Sequence, residues 1–518
     1  MRGLTPSCND LFVTMLGRLL QPYIRKKLNG YVNVINTVDP TKPKNLDGSH
    51  KVAVVGAGLA GIGAASLLGE RGFEVTLFER NSYLGGKAGC WAVNFPDGSA
   101  AKVDHGFHAF FRHYYNLRAF LDKIGASRRL QNIDDYLVLA QDGRYFSFKN
   151  VATTPVLNIL SLGRNKFYRF RDVLLNPRSW RMGDFVKYDE AKTFAEFDEL
   201  NFEEFANQTK LPASLRLVFH TFARAFFAPA RKLSTAELMK SFHFFYLSHD
   251  HGLLYDYFDS DYAEALIEPV RRHLIQHRVA IELNRCVTRT ERADAKFQVA
   301  DEAFDSLILA ADVVGTRQIC VNSPWIKSLS EKNYAEITSL QASDGYAIYR
   351  IWMERQTTAR LPVFIITEKR DVLDSVTFYH QFDRASAQWA NESGGGVYEL
   401  HCYALPPGFE DEDMLKAAFL AELHDYFPEL KNARIFREHL QVKRDFTAFY
   451  AGLHRTRPEF RTEIPGFYLA GDWVKIPTPA MLMEAAFTSG LLCANSILAK
   501  HDLQEEPVYS VPQKGIFA

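Results

Sequence analysis

Hydrophobic and polar positions between Lys51 and Arg80 follow the pattern of a strand, a helix and a second strand. The short apolar run "VAVV" predicts a buried strand, and the apolar residues of "GIGAASLLGERG" predict a helix that ends at Gly72. The segment "EVTLFE" predicts a second strand, which ends at Glu79. The order and lengths of these elements are those of a βαβ unit.

Two later segments have a pattern that would return the chain to the same domain. Residues Val279 to Asp312 contain "VAIELNRCVTRTE" and "AFDSLILAAD", which predict three strands. Near the C-terminus, "GFYLAGDWVKIPTPAMLMEAAFTSGLLCANSIL" predicts a strand and then a long helix from about Ala480. The domain that contains the βαβ unit is therefore expected to be discontinuous in sequence.

A glycine motif stands where the first predicted strand meets the helix. Gly56, Gly58 and Gly61 form G-x-G-x-x-G, which allows a tight turn and lets the backbone approach a pyrophosphate at the positive end of the helix. Glu79, at the end of the second strand, is placed to accept hydrogen bonds from the ribose hydroxyls of an adenosine. This combination predicts a dinucleotide site and disfavours a 2′-phosphate.

The residues after Glu79 resemble one superfamily of flavoproteins. "ERNSYLGGKAG" resembles the second glycine-rich turn of the flavin-containing amine oxidase and phytoene desaturase superfamily, as do the two later segments. The resemblance implies bound FAD, with Val287 near the adenine, Asp472 at the ribityl or phosphate portion, and the C-terminal helix facing the flavin. No cysteine lies between Gly471 and Glu484, so noncovalent FAD is expected. The candidate cofactor-binding residues are Gly56, Gly58, Gly61, Glu79, Arg80, Gly85, Gly86, Lys87, Val287, Gly471, Asp472 and Met481.

The same resemblance implies an α/β fold, in which an α+β substrate domain is inserted into a discontinuous Rossmann-like FAD-binding domain. We expect residues 49–110, 266–315 and 441–503 to form the FAD-binding domain, and residues 111–265 and 316–440 to form the substrate domain. Residues 1–48 are expected to be an N-terminal amphipathic extension, and residues 504–518 a short polar tail without chemistry.

The stretch "DHGFHAFFRHYYN", from Asp104 to Asn116, could be a metal site, a set of catalytic bases or the wall of an apolar pocket. In the superfamily this part of the chain leads toward the flavin, which implies a pocket. No third ligand stands at a familiar spacing from the histidines, so we expect no metal. His105 and His108 are the catalytic candidates, with a structural role as the alternative. The substrate-lining candidates, which could equally form an ordinary aromatic core, are Phe107, Phe110, Phe111, Tyr114 and Tyr115.

The amino-acid sequence of this stretch resembles one branch of the superfamily, the β-carotene desaturase/methylases or isorenieratene synthases. The C-terminal block resembles that branch too, whereas residues 113–270 and 320–440 match it only loosely. The resemblance implies desaturation of a carotenoid end ring, with a methyl shift. Some relatives carry an added Rieske cluster, but this chain has no Cys-x-His pair to hold one. The alternatives are another isoprenoid desaturase or isomerase, an amine oxidase, or a flavin-free binder of prenylated GTPases.

Composition narrows the classes of partner. The 61 basic residues balance the 61 acidic residues, which argues against a nucleic-acid partner. The six cysteines are scattered singly, which argues against zinc and disulfide frameworks and favours an intracellular protein. The residues do not identify the terminal electron acceptor.

Attachment to a membrane surface is expected, because a carotenoid dissolves in the bilayer. No run of about eighteen uncharged apolar residues predicts a membrane-spanning helix. Residues 11–20 instead predict an amphipathic helix with a basic end, which lies either in a membrane interface or on the protein's own surface. The segment 163–181 mixes aromatic and basic residues and is the better candidate for membrane contact, while 215–232 is expected to be a buried helix. We expect a cytoplasmic face, or an organelle if the acid-poor N-terminus is a transit peptide.

Overall fold

A parallel sheet of five strands organises one half of the computed structural model. The model describes residues 19–149, 151–164, 168, 171, 175–213, 215–216, 219, 223, 226–358 and 361–518. Apolar side chains of these strands are buried almost throughout, as expected of parallel strands covered on both faces. The strands, in spatial order, are Ala280–Glu282, Glu74–Phe78, Lys51–Val55, Ser306–Leu309 and Phe467–Leu469.

Two helices pack closely against each other beside this sheet. The glycine-loop helix, Leu59–Glu70, follows the strand Lys51–Val55 in the chain. The C-terminal helix, Leu482–Lys500, packs along the glycine-loop helix. A Cβ at Gly490 would come within 2.0 Å of the carbonyl oxygen of Ala60, so the helices approach this closely only because residue 490 is glycine. Among the described residues the C-terminal helix is the one long and apolar enough to cross a membrane, but 78% of its apolar window is buried in the protein. Its apolar side chains therefore build the core.

A second sheet of seven strands forms the other half. Its second strand in spatial order, Tyr346–Met353, is buried along its whole length, between two antiparallel neighbours. All pairs in the sheet are antiparallel except Phe364–Thr367 with Leu137–Leu139, which is parallel. The strands, in spatial order, are Ile435–Lys443, Tyr346–Met353, Gly396–Cys402, Ser375–Phe378, Phe364–Thr367, Leu137–Leu139 and Tyr145–Ser147.

A hairpin connects the two halves. Strand Cys90–Asn94 pairs with Ala100–Asp104. Asp104, the last residue of the second strand, forms an ion pair with Arg350 of the seven-stranded sheet. The chain then continues through the DHG loop, residues 105–109, into the short strand Phe110–Phe111, which pairs with Tyr255–Phe258. The DHG loop is thus held between the two sheets.

Both ends of the described chain pack against the body of the protein. Asn33–Val34 pairs with Tyr509–Ser510, and Val508 is fully buried. Residues 504–518, expected from sequence to be a short polar tail, are thus held against the protein by backbone pairing and by the buried Val508 and Val511. The helix over residues 19–27 buries Ile24 against the protein but exposes its other apolar face.

The strands of the parallel sheet all fall within the segments assigned from sequence to the FAD-binding domain. The division at residues 440 and 441, however, cuts through the strand Ile435–Lys443, so that boundary is misplaced. Of the segment 215–232, Phe219 and Phe226 are described and buried, whereas Phe222 and Arg224 lie outside the described residues. Of residues 11–20, only Leu19 and Leu20 are described.

The remaining elements surround the two sheets. Three short strands form an antiparallel meander, and the strand Leu130–Asn132 completes the sheet beside the DHG loop. The meander strands are Thr290–Ala293, Lys296–Val299 and Glu302–Phe304. The other α-helices are Tyr115–Lys123, Leu157–Arg164, Glu190–Phe197, Phe202–Gln208, Thr235–Phe242, Glu268–Gln276, Val313–Val321, Trp325–Leu329, Glu331–Ser339, Arg384–Ser393 and Glu412–Tyr426. Single turns of 3₁₀ or π-helix occur at Asn29–Tyr31, Gly86–Ala88, Ala126–Arg129, His243–Leu247, Ala263–Ile267, Tyr379–Gln381, Pro428–Leu430 and His454–Thr456, and a longer one at Pro177–Val186.

Candidate active site

One cavity of about 690 Å³ lies between the two sheets. Its first end, the glycine end, is at the carboxyl ends of the parallel strands, where ligands of open α/β sheets bind. Its second end, the aromatic end, is bounded by the seven-stranded sheet and the DHG loop. The glycine end includes Gly56, Gly58, Glu79, Arg80, Gly85, Gly86, Val287, Ala311, Asp312, Gly471 and Asp472. The aromatic end includes Phe107, Phe111, Tyr114, Tyr136, Phe148, Phe245, Tyr255, Phe364 and Ile366.

The three glycines of the motif have three different surroundings. Gly56 has φ +107°, and a Cβ there would lie 2.6 Å from the carbonyl oxygen of Ala310. A Cβ at Gly61 would lie 1.9 Å from the carbonyl oxygen of Gly56. A Cβ at Gly58, in contrast, would meet nothing within 4 Å and would enter the cavity. The first and last glycines therefore shape the turn, and the middle one keeps open space beside a helix N-terminus.

Glu79 is buried at the rim of the glycine end. Its carboxylate accepts hydrogen bonds from the backbone N–H of Ala57 at 2.9 Å and from the backbone and side chain of Asn81. Its neighbour Arg80 forms an ion pair with Asp312 at 3.0 Å. Val287 also lines this end, so the residues expected at the ribose and the adenine, Glu79 and Val287, both border the glycine end.

The second glycine turn packs directly on the first. Gly85 donates its N–H to the carbonyl oxygen of Ala57 at 2.8 Å, and a Cβ at Gly86 would lie 3.0 Å from the Cα of Gly58. Lys87 donates to the backbone carbonyl of Asp445 at 2.9 Å. The two turns together form a continuous glycine surface with a cation next to it.

The C-terminal segment closes the opposite side of this end. A Cβ at Gly471 would lie 2.2 Å from the indole nitrogen of Trp473, so only glycine fits there. Asp472 lines the cavity and accepts a hydrogen bond from Thr447 at 2.9 Å. Met481, expected among the cofactor residues, is buried as the residue before the C-terminal helix, and Leu482 and Met483 line the cavity in its place. Leu482 has φ +50°, a strained conformation for leucine of the kind that clusters at functional sites.

These features fit a flavin dinucleotide. The open space at Gly58 and the N-terminus of the glycine-loop helix suit a pyrophosphate. The carboxylate of Glu79 suits a ribose, and the N-terminus of the C-terminal helix meets the middle of the cavity, where its dipole would favour negative charge. Gly61 does not touch the cavity and acts only through the turn.

His105 lies near the junction of the two ends. The hydroxyl of Tyr346 donates to the carboxylate of Asp445 at 2.8 Å and is 3.2 Å from the His105 ring nitrogens. Burial, together with the cations Lys443 and Lys87, lowers the pKa of His105 to about 3. His105 is therefore a neutral imidazole near pH 7.

The other two histidines of the stretch have different positions. The Nδ1–H of His108 donates to the carbonyl oxygen of Gly106 at 2.6 Å, and burial lowers the pKa of His108 to about 4. His113 is fully buried beside Phe244, with no partner for either ring nitrogen among the described residues, and burial holds its pKa far below the usual value. His108 lines the cavity and His113 does not.

A buried ion cluster fixes the DHG loop. It consists of Asp104, Arg350, Tyr379, Glu399 and His401. Arg350 forms an ion pair with Asp104 at 2.8 Å and another with Glu399, and its guanidinium stacks 3.7 Å from the ring of Tyr379. Asp104 accepts the N–H of Gly106, and Glu399 accepts the N–H of Phe107 at 3.0 Å. Two carboxylates of the cluster thus hold two consecutive peptide groups of the loop.

Burial shifts the titration of the two carboxyl groups in opposite directions. Burial raises the pKa of Asp104 to about 6, in spite of the nearby Arg350. Burial alone would raise the pKa of Glu399 too, but the charge of Arg350 and the hydrogen bond from His401 outweigh this effect. Together they lower the pKa of Glu399 to about 2. Glu399 is therefore the firmly ionised member of the cluster.

The aromatic end is built from rings on several elements. Phe107 stacks on Phe364 at 5.1 Å, and Phe111 packs against Tyr255 at 5.3 Å. Tyr114 also lines this end.

Phe110 and Tyr115 do not line the cavity, which corrects their assignment as substrate-lining residues. The ring of Phe110 is buried against Phe258, because successive strand residues point to opposite faces. The hydroxyl of Tyr115 donates to the backbone of Tyr31 at the N-terminal segment instead.

Several site residues were not found from sequence. Arg350, Glu399 and His401 lie on apolar strands of the seven-stranded sheet, and Tyr346 and Asp445 meet His105 from the same sheet and the residues after it. A signal was present, since "YAIYRIWM" and "GVYELHC" each place charged or polar residues in a run that is otherwise apolar. A lone charge in a buried strand needs a partner.

Two groups that could ligate a metal lie away from the cavity within the described chain. They are Glu70 with His273 and His277, and His249 with Asp250 and His251. In the first group Glu70 is already paired with Lys123 at 2.9 Å. His105 and His108 belong to neither group.

Comparison with known proteins gives consistent matches over most of the chain. The family described as flavin containing amine oxidoreductase matches residues 59–498. A carotenoid φ-ring synthase from Streptomyces griseus is 33% identical, over 90% of this chain and 90% of that protein. A carotenoid φ-ring synthase from Chlorobaculum tepidum is 28% identical, over 95% of this chain and 96% of that protein. The structure of putrescine oxidase bound to putrescine has a TM-score of 0.63 at 15% identity, covering 87% of this chain and 99% of that one, which is a likeness of fold.

Proposed function

Because the chain belongs to the flavin-containing amine oxidoreductase family, and is thus a flavin-dependent oxidoreductase, we propose that it binds FAD noncovalently and desaturates the end ring of a carotenoid. The observation that carries this proposal is the continuity of the cavity, whose glycine end and aromatic end form one space. Similarity to two carotenoid φ-ring synthases supports the substrate class. A ring that carries two methyl groups on one carbon becomes aromatic only if one methyl migrates, so the proposal includes a methyl shift.

The aromatic end would hold the ring and exclude water. The rings of Phe107, Phe111, Tyr255 and Phe364 face one space, and aromatic faces attract a positive charge without trapping it covalently. When bound, the flavin supplies the acceptor for a hydride from an activated C–H bond. The chain orients the ring, keeps it dry and provides a neutral imidazole for the proton that must leave.

The middle of the cavity would favour the hydride transfer electrostatically. Lys87 and the N-terminus of the C-terminal helix bring positive potential to the region where the cofactor gains negative charge. Burial lowers the pKa of Lys443, another cation on this wall. These groups stabilise the charge-separated state of the reaction.

Noncovalent binding is supported by the position of the thiols. Cys286 is the one cysteine among the described residues that lines the cavity, and it lies next to Val287 at the glycine end. Acid denaturation of the purified protein should therefore release intact FAD, detected by chromatography. Flavin that remains on the precipitated chain would contradict noncovalent binding.

The test of the reaction is expression in cells that accumulate β-carotene, followed by chromatography of the pigments with mass detection. The wild-type chain should give products lighter by pairs of hydrogens, with aromatic end groups. The control is Gly58→Val, because the new side chain enters open space in the protein but occupies the phosphate site, so the variant should fold and hold no flavin. It should leave β-carotene unchanged.

Other outcomes separate the alternatives. Unchanged β-carotene with a flavin-containing wild-type protein would refute the substrate, and acyclic carotenoids, other isoprenoids and amines would then be assayed. A purified wild-type protein without flavin absorbance would refute the enzyme and favour a prenyl-protein binder of the same fold.

We also propose peripheral attachment to a membrane. The helix over residues 19–27 exposes Leu19 and Tyr23 (67% and 59% of their surfaces) next to three cations at residues 25–27. Leu175 and Trp180 are exposed in the substrate half. An apolar face with cations beside it is suited to an anionic lipid surface.

Sedimentation with vesicles tests this attachment. The protein should bind phosphatidylglycerol-containing vesicles more than phosphatidylcholine vesicles, and the double replacement Leu19→Ser with Tyr23→Ser should weaken binding. Equal recovery of wild type and variant with both vesicle types would count against it.

A further inference from the structure

A third histidine faces the cavity, from a strand that begins 280 residues after the Asp104–Asn116 stretch ends. His401 lies on the strand Gly396–Cys402, and its ring edge faces the DHG loop. A Cβ at Gly106 would lie 3.1 Å from Cε1 and 3.6 Å from Nδ1 of His401. His401 therefore packs beside Gly106, the residue of the DHG loop that links His105 to Phe107.

The three cavity histidines differ in what holds their rings. His105 meets the hydroxyl of Tyr346, and His108 donates to a backbone carbonyl. Within the described chain, only His401 of these three has a ring nitrogen that contacts a carboxylate directly. Its Nε2 lies 3.0 Å from Oε1 of Glu399. A carboxylate in that position stabilises the imidazolium that forms when the ring accepts a proton.

Glu399 is itself well fixed. Arg350 binds its other oxygen, and the N–H of Phe107 binds the oxygen that His401 meets. Since Arg350 and His401 outweigh the effect of burial and hold the pKa of Glu399 at about 2, the residue is a carboxylate near pH 7. The carboxylate accepts the hydrogen on Nε2 of His401, which leaves the lone pair on Nδ1, the atom near Gly106.

We propose that His401 is the catalytic base that removes the proton from the end ring after hydride transfer, with Glu399 as its positioning residue. This inference rests on the proposed function. In the step, a C–H bond next to the cationic carbon breaks, and its electron pair forms the new ring double bond. The proton goes to Nδ1 of His401 and from there to water when the product leaves. The step itself consumes no oxidant or reductant.

The first variant is His401→Gln. The glutamine amide can still donate to Glu399 but cannot take a proton, so a purely structural role would be preserved. The control is His424→Gln, on the outer helix Glu412–Tyr426. Both proteins should bind FAD as the wild type does. In single turnovers without oxygen, the one bound flavin accepts one hydride, and its reduction should stay within about threefold of wild type, whereas formation of the first desaturated product, lighter by two hydrogens, should fall by about 100-fold or more in His401→Gln alone.

Three results separate the possible failures. First desaturated product formed by His401→Gln at a rate within about threefold of wild type would overturn the role of His401 alone. A wild-type protein that holds FAD and leaves the ring unchanged would overturn the proposed function and this step together. With His401→Gly, added imidazole should restore product formation, and failure of rescue in a folded, flavin-bound variant would also contradict the role of a base.

Glu399→Gln tests the positioning role. An amide at residue 399 still accepts the N–H of Phe107, but it no longer supports a positive charge on His401. The titratable groups beside His401 are then His108 and Tyr403, whose ring centroid lies 5.5 Å from that of His401. Without the carboxylate, the acidic limb of the pH–rate profile should move to lower pH while FAD content stays the same. An unmoved profile would contradict the pairing of Glu399 with His401.

Discussion

The buried ion cluster makes the stability of the protein depend on one guanidinium. Replacing Arg350 by Met keeps much of the volume of the side chain but leaves Asp104 and Glu399, both almost inaccessible to solvent, without their cation. Removal of one partner from a buried ion pair costs about 3–5 kcal/mol, and here two carboxylates share the loss, so we expect the upper part of this range at pH 8. The two peptide groups that these carboxylates hold belong to the DHG loop.

The free energy of unfolding of wild type and Arg350→Met would be measured by urea titration at a fixed concentration of FAD, since bound cofactor adds to stability. The sign of the pH dependence follows from Asp104. Burial raises its pKa to about 6, so the folded state binds this proton more tightly than the unfolded state, and stability is lost as pH rises through 6. Without Arg350 both carboxylates behave in this way, so the loss should be smaller at pH 5 than at pH 8.

A neutral version of the cluster provides the control. The triple variant Arg350→Met, Asp104→Asn, Glu399→Gln has no buried charge, and its amide oxygens still accept the N–H groups of the loop. It should recover at least about half of the lost stability. A loss below about 1 kcal/mol for Arg350→Met, or a loss that does not change between pH 5 and pH 8, would refute the reasoning.

Two further predictions concern packing. In urea titration, Gly490→Ala should lower the free energy of unfolding by about 1–3 kcal/mol, because its Cβ would lie 2.0 Å from a backbone oxygen of the glycine-loop helix. The control is Gly183→Ala, whose Cβ would meet nothing within 4 Å, and it should change the free energy of unfolding by less than about 0.5 kcal/mol. Phe364→Ala removes the ring stacked on Phe107 and should raise KM for the carotenoid about tenfold. The control Phe436→Ala, on the exposed edge strand, should leave KM unchanged. Equal KM values for the two variants would contradict substrate contact at Phe364.

The cofactor half was predictable because its chemistry is local in sequence. Gly56, Gly58 and Gly61 stand at a fixed spacing between a strand and a helix, and the structure gives the first and last of them contacts that no other residue could make. The flavin family was indicated by the resemblance of other local segments, "ERNSYLGGKAG" and the two later ones. The spatial order of the five strands is not local, since three of its four neighbouring pairs join segments more than 150 residues apart.

The ion cluster could not be predicted, because it depends on the register between strands. Arg350 stands directly opposite Glu399 in the sheet, and His401 follows Glu399 on the same face. Nothing in the sequence fixes that register. Because side chains alternate between the two faces of a strand, only one of Phe110 and Phe111 can face the cavity. Which of the two rings faces it depends on pairing with the strand Tyr255–Phe258, which the sequence does not reveal.

The discontinuous sheet has a consequence for biosynthesis. The first two strands, Lys51–Val55 and Glu74–Phe78, leave the ribosome early, but the edge strand Phe467–Leu469 and the C-terminal helix, which packs on the glycine-loop helix between those two strands in the chain, are made much later. At about 5–20 residues per second, the nascent chain waits roughly 20–80 s with these apolar strands uncovered. Chaperones are therefore expected to hold the growing chain, and the cofactor can enter only after the C-terminal helix has been synthesised.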